Sequence, residues 1–229
     1  NTGDKDQIDF HRWVLFVNHR FNDRIKLFSE FELEHSLSGN GKPGEVELEQ
    51  AYIEFDLDQG LSAKAGVYLL PLGFLNETHE PDTFYGVERN NVEKNIIPTT
   101  WWEGGAAVSK SFDSGFGFDF GVHSGLNVPT AGSKAFSIRS GRQKVAEADA
   151  TNWAASARVR YAGGNGLSVS GFANFQSDIA NGSAEDNSAL LLGAAAQYNS
   201  GGFGLRALVS HWDIDGASFE AADADKQWG

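Results

Sequence analysis

Apolar and polar side chains alternate with period two over most of this chain. In residues 24–35, Ile25, Leu27, Phe31 and Leu33 fall on one parity, and Arg24, Lys26, Glu30, Glu32 and Glu34 on the other. Successive strand side chains point to opposite faces, so a strand explains this split and a helical period does not. Residues 50–57 repeat it, with Ala51, Ile53, Phe55 and Leu57 against Gln50, Tyr52, Glu54 and Asp56. The same reading holds for residues 61–69, 116–123, 153–161, 167–176 and 203–210. It puts Lys64, Asp119, Arg158, Arg160 and Arg206 on polar faces, and Phe116, Phe118, Phe120, Val159, Leu205 and Val209 on apolar ones. Two segments read poorly: residues 10–20 mix classes on both faces, and residues 188–198 are apolar on both. About ten strands are predicted.

Between the strands, connections alternate in length. Short polar turns at 21–24, 58–60, 113–115, 162–166 and 199–202 take turns with longer loops at 36–44, 74–101, 127–150 and 177–187. Tight turns at one end and long loops at the other are the layout of a transmembrane antiparallel β-barrel. Aromatic residues beside the short turns, among them Phe21, Phe112, Phe116, Tyr161, Tyr198 and Phe203, would form one interfacial girdle. The fold class expected is therefore all-β, with residues 1–229 as one barrel domain. Barrel termini normally lie on the short-turn side. Here the first strand runs into a short turn and the last one leaves a short turn, and residues 223–229 show no closing strand. Missing strands are therefore expected at both ends.

Composition narrows the alternatives. No run of eighteen apolar residues offers a membrane helix, and mean hydropathy is −0.34, compatible with strands that show lipid only every second residue. There is no cysteine, so neither a disulfide framework nor a thiolate metal site is available. There is no methionine either, which suggests a processed protein or an internal piece. A net charge of −13 argues against nucleic acid as a partner.

Residues 74–101 form too long a connection to be casual. They carry Glu77, His79, Glu80, Asp82, Glu88 and Arg89 together with Phe84, Tyr85 and Trp101, and are predicted to fold inward and constrict a pore. His79, Glu80 and Asp82 invite a metal reading, but neighbours on an extended backbone point apart, so loop hydrogen bonding is expected and no metal or other cofactor. The candidate pore lining is Arg24, Lys26, Lys64, Arg158, Arg160 and Arg206, facing Glu30, Glu32, Glu54, Asp56 and Asp119. Opposed basic and acidic walls make a hydrated passage of weak selectivity. In the loop containing Lys134, Arg139, Arg142 and Lys144, solvated contact with lipopolysaccharide phosphates is favoured slightly over folding into the mouth. No nucleophile elbow or H-E-x-x-H motif occurs, Ser168, Ser170 and Ser210 have no histidine placed to activate them, and no enzyme is expected.

Residues 47–103 resemble the phosphate-selective porin O/P family of Gram-negative outer membranes. The resemblance rests on Glu49-Gln50-Ala51-Tyr52 and on Gly66-Val67-Tyr68-Leu69-Leu70-Pro71-Leu72-Gly73. It continues through Asn76-Glu77-Thr78-His79-Glu80-Pro81 and Ile97-Pro98-Thr99-Thr100-Trp101, about a quarter of the chain. It implies a trimeric barrel of about sixteen strands in the outer membrane, in contact with lipid and lipopolysaccharide, passing small hydrophilic or anionic solutes. The chain departs from an anion-selective pattern in balance, with 18 basic residues against 31 acidic ones. Two other readings fit the same pattern. One is an outer-membrane barrel serving as anchor or protein partner. The other is a soluble carbohydrate-binding β-domain that uses Trp101, Trp102 and Trp212 as stacking platforms.

Overall fold

A computed structural model describes residues 8–36, 40–41, 44–181 and 186–229. The strands are β1 (Arg12–Phe16), β2 (His19–Arg20), β3 (Ile25–Glu34), β4 (Val46–Asp56), β5 (Leu61–Leu69) and β6 (Trp102–Ser111). They continue as β7 (Phe116–Ser124), β8 (Trp153–Ala162), β9 (Leu167–Gln176), β10 (Ser188–Ser200), β11 (Phe203–Asp215) and β12 (Lys226–Trp228), with a short helix α1 (Ala217–Ala221) before the last. All belong to one antiparallel, 12-stranded sheet in chain order, with β1 and β2 both on β3. Among the described residues the path is open, with β1 and β12 at its edges. No described helix is long and apolar enough to cross a membrane.

The expected strand count was low by the shortest elements. Residues 10–20 read poorly because the strand there is broken into two pieces. Residues 223–229 do contain a strand: Lys226–Trp228 pairs with His211, Trp212 and Asp213 of β11. Three residues are too few for a period to show. The long loops at 36–44 and 177–187 fall partly outside the described residues.

Glycine closes the turns at 58–60 and 113–115. Gly60 and Gly115 have φ of +74° and +87°, where L side chains are strained. A Cβ there would also stand 2.5 Å from the carbonyl oxygens of Ser111 and Ala162 respectively. The close approach serves pairing, since the Gly60 and Gly115 carbonyls accept from Ser111 N at 2.8 Å and Ala162 N at 3.0 Å, joining neighbouring hairpins.

The two faces of the sheet differ sharply. On β7, Phe116, Phe118, Phe120 and Val122 are exposed, while Gly117, Asp119, Gly121 and His123 between them are buried. Val159, Leu205 and Val209 extend this open apolar face. The opposite face is covered by the connections 70–101 and 125–152. Between cover and sheet lies an apolar core of Leu70, Leu72, Trp101, Leu126, Ile138, Leu191, Trp212 and Phe219. Burying a large apolar side chain is worth about 1.5–3 kcal/mol, so this core holds the cover down. It also explains the two-sided apolar character of β10, whose Ala189, Leu191 and Ala195 face the cover while Leu190 and Leu192 face out. Trp101 and Trp212 are buried there and Trp102 is buried elsewhere on the sheet, so none of the three is open to solvent as a stacking platform.

Candidate functional site

Among the described residues, the covered face carries most of the paired charge. Asp119 lies opposite Arg158 in the β7–β8 register, and its carboxylate accepts from Arg158 Nε at 2.8 Å, Arg160 Nε at 3.4 Å and Ser109 Oγ at 2.7 Å. From the 70–101 connection, Glu77 reaches Arg158 Nη1 at 2.5 Å. A cavity of about 220 Å³ beside this group is lined by Arg158, Arg160, Glu77, Thr78, Ser168 and Ser170. Lys64 sits over the rings of Tyr68 and Tyr52, 4.7 and 5.2 Å from their centroids. Lys26 meets its cross-strand partner Glu54 at 3.4 Å. Arg206 donates to Gln197 Oε1 at 2.7 Å and to Thr83 O at 3.1 Å, with Tyr85 stacked 4.3 Å from its guanidinium. Strand parity thus places these residues on one face.

Arg24 differs from expectation. It lies in the turn before β3, exposed, and pairs with Asp58 at 2.6 Å. Asp56 is exposed nearby and accepts from Asp58 N at 3.0 Å. Asp82 and Glu88 are exposed on the connection.

A second group forms where the connection meets β3 and β4. Glu30 lies opposite Gln50 and Phe31 opposite Leu48, so Glu49 is the extra residue of a β-bulge. The bulge turns Glu49 and Gln50 both toward the covered face. Glu30, Glu32, Glu49 and His79 are all buried. His79 Nε2 stands 2.7 Å from Glu49 Oε2, 3.7 Å from Glu30 Oε1 and 3.9 Å from Glu80 Oε1. Burial pulls the His79 pKa down, but the carboxylates of Glu49, Glu30 and Glu80 outweigh it and leave it above the ordinary imidazole value. The chain turns at Pro81–Thr83, and His79 and Glu80 converge there where extended neighbours would diverge. Sequence reasoning passed over Glu49 as a site residue. The available signal was the shift of apolar parity from Val46 and Leu48 to Ala51, Ile53 and Phe55.

The cover is fastened through its backbone. Asn76 is fully buried, donates to Leu70 O and Trp101 O at 2.8 Å each and accepts from Trp101 N at 2.7 Å. Glu93 accepts from the amides of Phe74 and Leu75 at 2.5 and 2.7 Å and from Asn90 Nδ2 at 2.8 Å. Trp212 Nε1 donates to Ile96 O at 2.8 Å. Arg89 donates to Thr99 O at 2.8 Å and to Thr100 Oγ1 at 3.2 Å.

The basic loop departs from its slightly favoured solvated reading. Arg139 donates to Thr99 O and Lys94 O, Arg142 to Thr100 O, and Lys144 pairs with Glu47 and Glu45. Burial, then the neighbouring Arg139, pulls the Arg142 guanidinium down to about 10. Lys134 alone of the four is exposed. The Thr99 and Thr100 carbonyls, left without strand partners, are what draw these guanidinium groups inward.

Among the described residues, a serine and a histidine side chain meet on the covered face. Ser156 Oγ lies 2.8 Å from His123 Nε2, whose Nδ1 is 2.6 Å from Ser124 O. Both side chains are sealed, at 1% and 4% exposure, which fits wall packing better than substrate attack.

No protein-family model matches the sequence. The chain is similar to an uncharacterized protein of Aquifex aeolicus (strain VF5), 32% identical over 186 residues, 79% of this chain and 42% of that protein. The chain thus spans less than half the length of that relative.

Proposed function

We propose that the sheet forms part of an outer-membrane β-barrel of the phosphate-selective porin type, and that its covered face lines a passage for small hydrophilic or anionic solutes, phosphate among them. One observation carries this reading: the sheet is inverted relative to a soluble domain. Phe116, Phe118, Phe120, Val159, Leu205 and Val209 stand exposed, while Asp119, Glu30, Glu32 and Glu49 are buried on the other side. In water this arrangement is unfavourable, because it exposes an apolar surface and buries charge. In lipid it is the expected one. In this reading, further strands pairing with β1 and β12 would close the sheet, and trimeric assembly belongs to the same reading.

The 70–101 connection narrows the passage through Glu77, which reaches the Arg158–Asp119 pair, and through Thr83 and Tyr85, which reach Arg206. Arg158, Arg160, Ser168 and Ser170 around the 220 Å³ cavity offer donors suited to an oxyanion in transit. Single-channel recording in planar bilayers tests the proposal. Discrete conductance steps are expected, and deletion of residues 77–94 is expected to enlarge them. A bilayer-inserted protein with no conductance would favour the anchor reading, and one that stays soluble and monomeric without detergent would exclude both.

A further inference from the structure

We propose that Glu30, Glu49 and His79 bind a divalent transition-metal ion, with Glu80 as a further donor, and that the ion staples the 70–101 connection to the sheet. The inference stands on the contact between connection and sheet and does not depend on a membrane.

Three observations support it. First, donors converge. One oxygen from each of Glu30 and Glu49 and one ring nitrogen of His79 lie within 4.8 Å of one another, and Glu32, His79 and Glu80 form an overlapping group of the same kind. Ligands about 2.1 Å from a common ion stand about 3.4 Å apart in a tetrahedron and about 3.0 Å apart in an octahedron. The distances of 2.7, 3.7 and 3.9 Å from His79 Nε2 to Glu49, Glu30 and Glu80 bracket those spacings.

Second, the donors are unsatisfied. His79 is 2% exposed and Glu49 3% exposed. Both ring nitrogens of His79, Glu49 Oε2 and Glu80 Oε1 are buried without a well-formed hydrogen bond, although His79 Nε2 stands 2.7 Å from Glu49 Oε2. A single imidazole proton cannot serve three carboxylates. Gln50 Nε2 takes the other Glu30 oxygen at 2.7 Å, and Arg12 faces Glu32 at 3.3 Å and Glu34 at 3.7 Å. That leaves the buried Glu30 and Glu49 and the partly exposed Glu80 turned toward one imidazole. Arg89 and Arg142 act on Glu49 only from beyond ion-pair distance, their donors held by the Thr99 and Thr100 carbonyls, so a dication would neutralise the remaining negative charge.

Third, the donors come from separate elements, with Glu30 on β3, Glu49 on the β4 bulge and His79 and Glu80 on the connection. Without Glu49 turned inward by the bulge, the set would lose the carboxylate nearest His79. One imidazole with two or three carboxylates suits Zn²⁺ or Mn²⁺, whereas Ca²⁺ takes oxygen ligands.

The test uses purified protein, stripped with a chelator and dialysed, then titrated with Zn²⁺, Mn²⁺ or Ca²⁺ alone while bound metal is counted by mass spectrometry. The result expected is one Zn²⁺ or Mn²⁺ per chain, held more tightly than Ca²⁺. His79→Gln and Glu49→Gln are each expected to weaken binding by more than about tenfold, and Asp82→Asn to leave it unchanged. Binding that survives both site variants but is lost in His35→Gln would assign the ion to the exposed Asp9, His11 and His35 group and overturn the proposal. A further readout needs no variant. Electron paramagnetic resonance of Cu²⁺ bound to the wild type should show nitrogen coupling from one imidazole, and trypsin should cut at Arg89 and Lys94 faster after chelation. Failure to bind any of the metals, or a copper spectrum free of nitrogen coupling, would likewise overturn it.

Discussion

At the residue scale, side-chain parity decided which charges share a face, and it was legible wherever a strand ran unbroken. Lys26, Lys64, Asp119, Arg158, Arg160 and Arg206 lie on the covered side as alternation required. Arg24 does not, because the turn Asn22 caps by accepting from Arg24 N and Ile25 N at 2.9 Å each takes it out of the strand. Glu49 was hidden for the opposite reason, a bulge inside a strand. Two outcomes belong here. If the open face meets lipid, Phe118→Arg should lose about 2–4 kcal/mol in urea unfolding from vesicles. An arginine tolerated at Phe118 without loss would mean that this face meets water. The second concerns pH. His35 Nδ1 approaches Asp9 Oδ2 at 2.8 Å, and this hydrogen bond raises the His35 pKa from 6.5 and lowers that of Asp9 from 3.8. The raised histidine contributes fully below its unfolded pKa and loses its contribution as pH rises through the folded one. The depressed aspartate contributes above its unfolded pKa and loses its contribution as pH falls through the folded one. The tie between residue 9 and the end of β3 should therefore be firmest in mildly acidic solution. Amide exchange at His35, which donates to His11 O at 2.9 Å, should quicken on alkalinisation after correction for the intrinsic rate. The same acceleration in Asp9→Asn would show that the pair is not its cause.

At the element scale, period two identified β3, β4, β5, β7, β8, β9 and β11, read β10 poorly because it is apolar on both faces, marked no strand at β6, and failed on strands of two, three and five. Short strands give too few alternations to be read, and β12 is held in place by pairing with β11 and by α1 before it. The sequence marked residues 74–101 as a long connection of mixed composition, but not its fastening to the sheet, because Asn76 and Glu93 bind backbone groups that no sequence pattern marks. Asn76→Ala would leave the carbonyls of Leu70 and Trp101 and the amide of Trp101 without these bonds in a buried place. A cost of about 1–3 kcal/mol is expected, with faster tryptic cleavage at Arg89 and Lys94. Unchanged cleavage with the full stability loss would confine the role of Asn76 to the start of β6.

At the scale of the molecule, the proposed passage poses one question, namely which cations would govern an ion crossing it. Arg158 and Arg160 border the 220 Å³ cavity and share Asp119 and Glu77. Arg139 and Arg142 sit behind the connection, their donors committed to the Thr99 and Thr100 carbonyls. Charges in a narrow, weakly screened channel act strongly on a passing ion, whereas charges facing bulk electrolyte are screened within about 8–10 Å. If the covered face lines a passage, replacing Arg158 and Arg160 by glutamine frees the Asp119 and Glu77 carboxylates there and should move the reversal potential in a salt gradient toward cations. Replacing Arg139 and Arg142 by glutamine should move it less and instead lower thermal stability, because the cover loses its ties to the carbonyls. Equal shifts from the two pairs would mean that ions sense both sides of the connection. A larger shift from Arg139 and Arg142 would place the filter in the basic loop, where the guanidinium groups would have to leave their carbonyls to meet the solute.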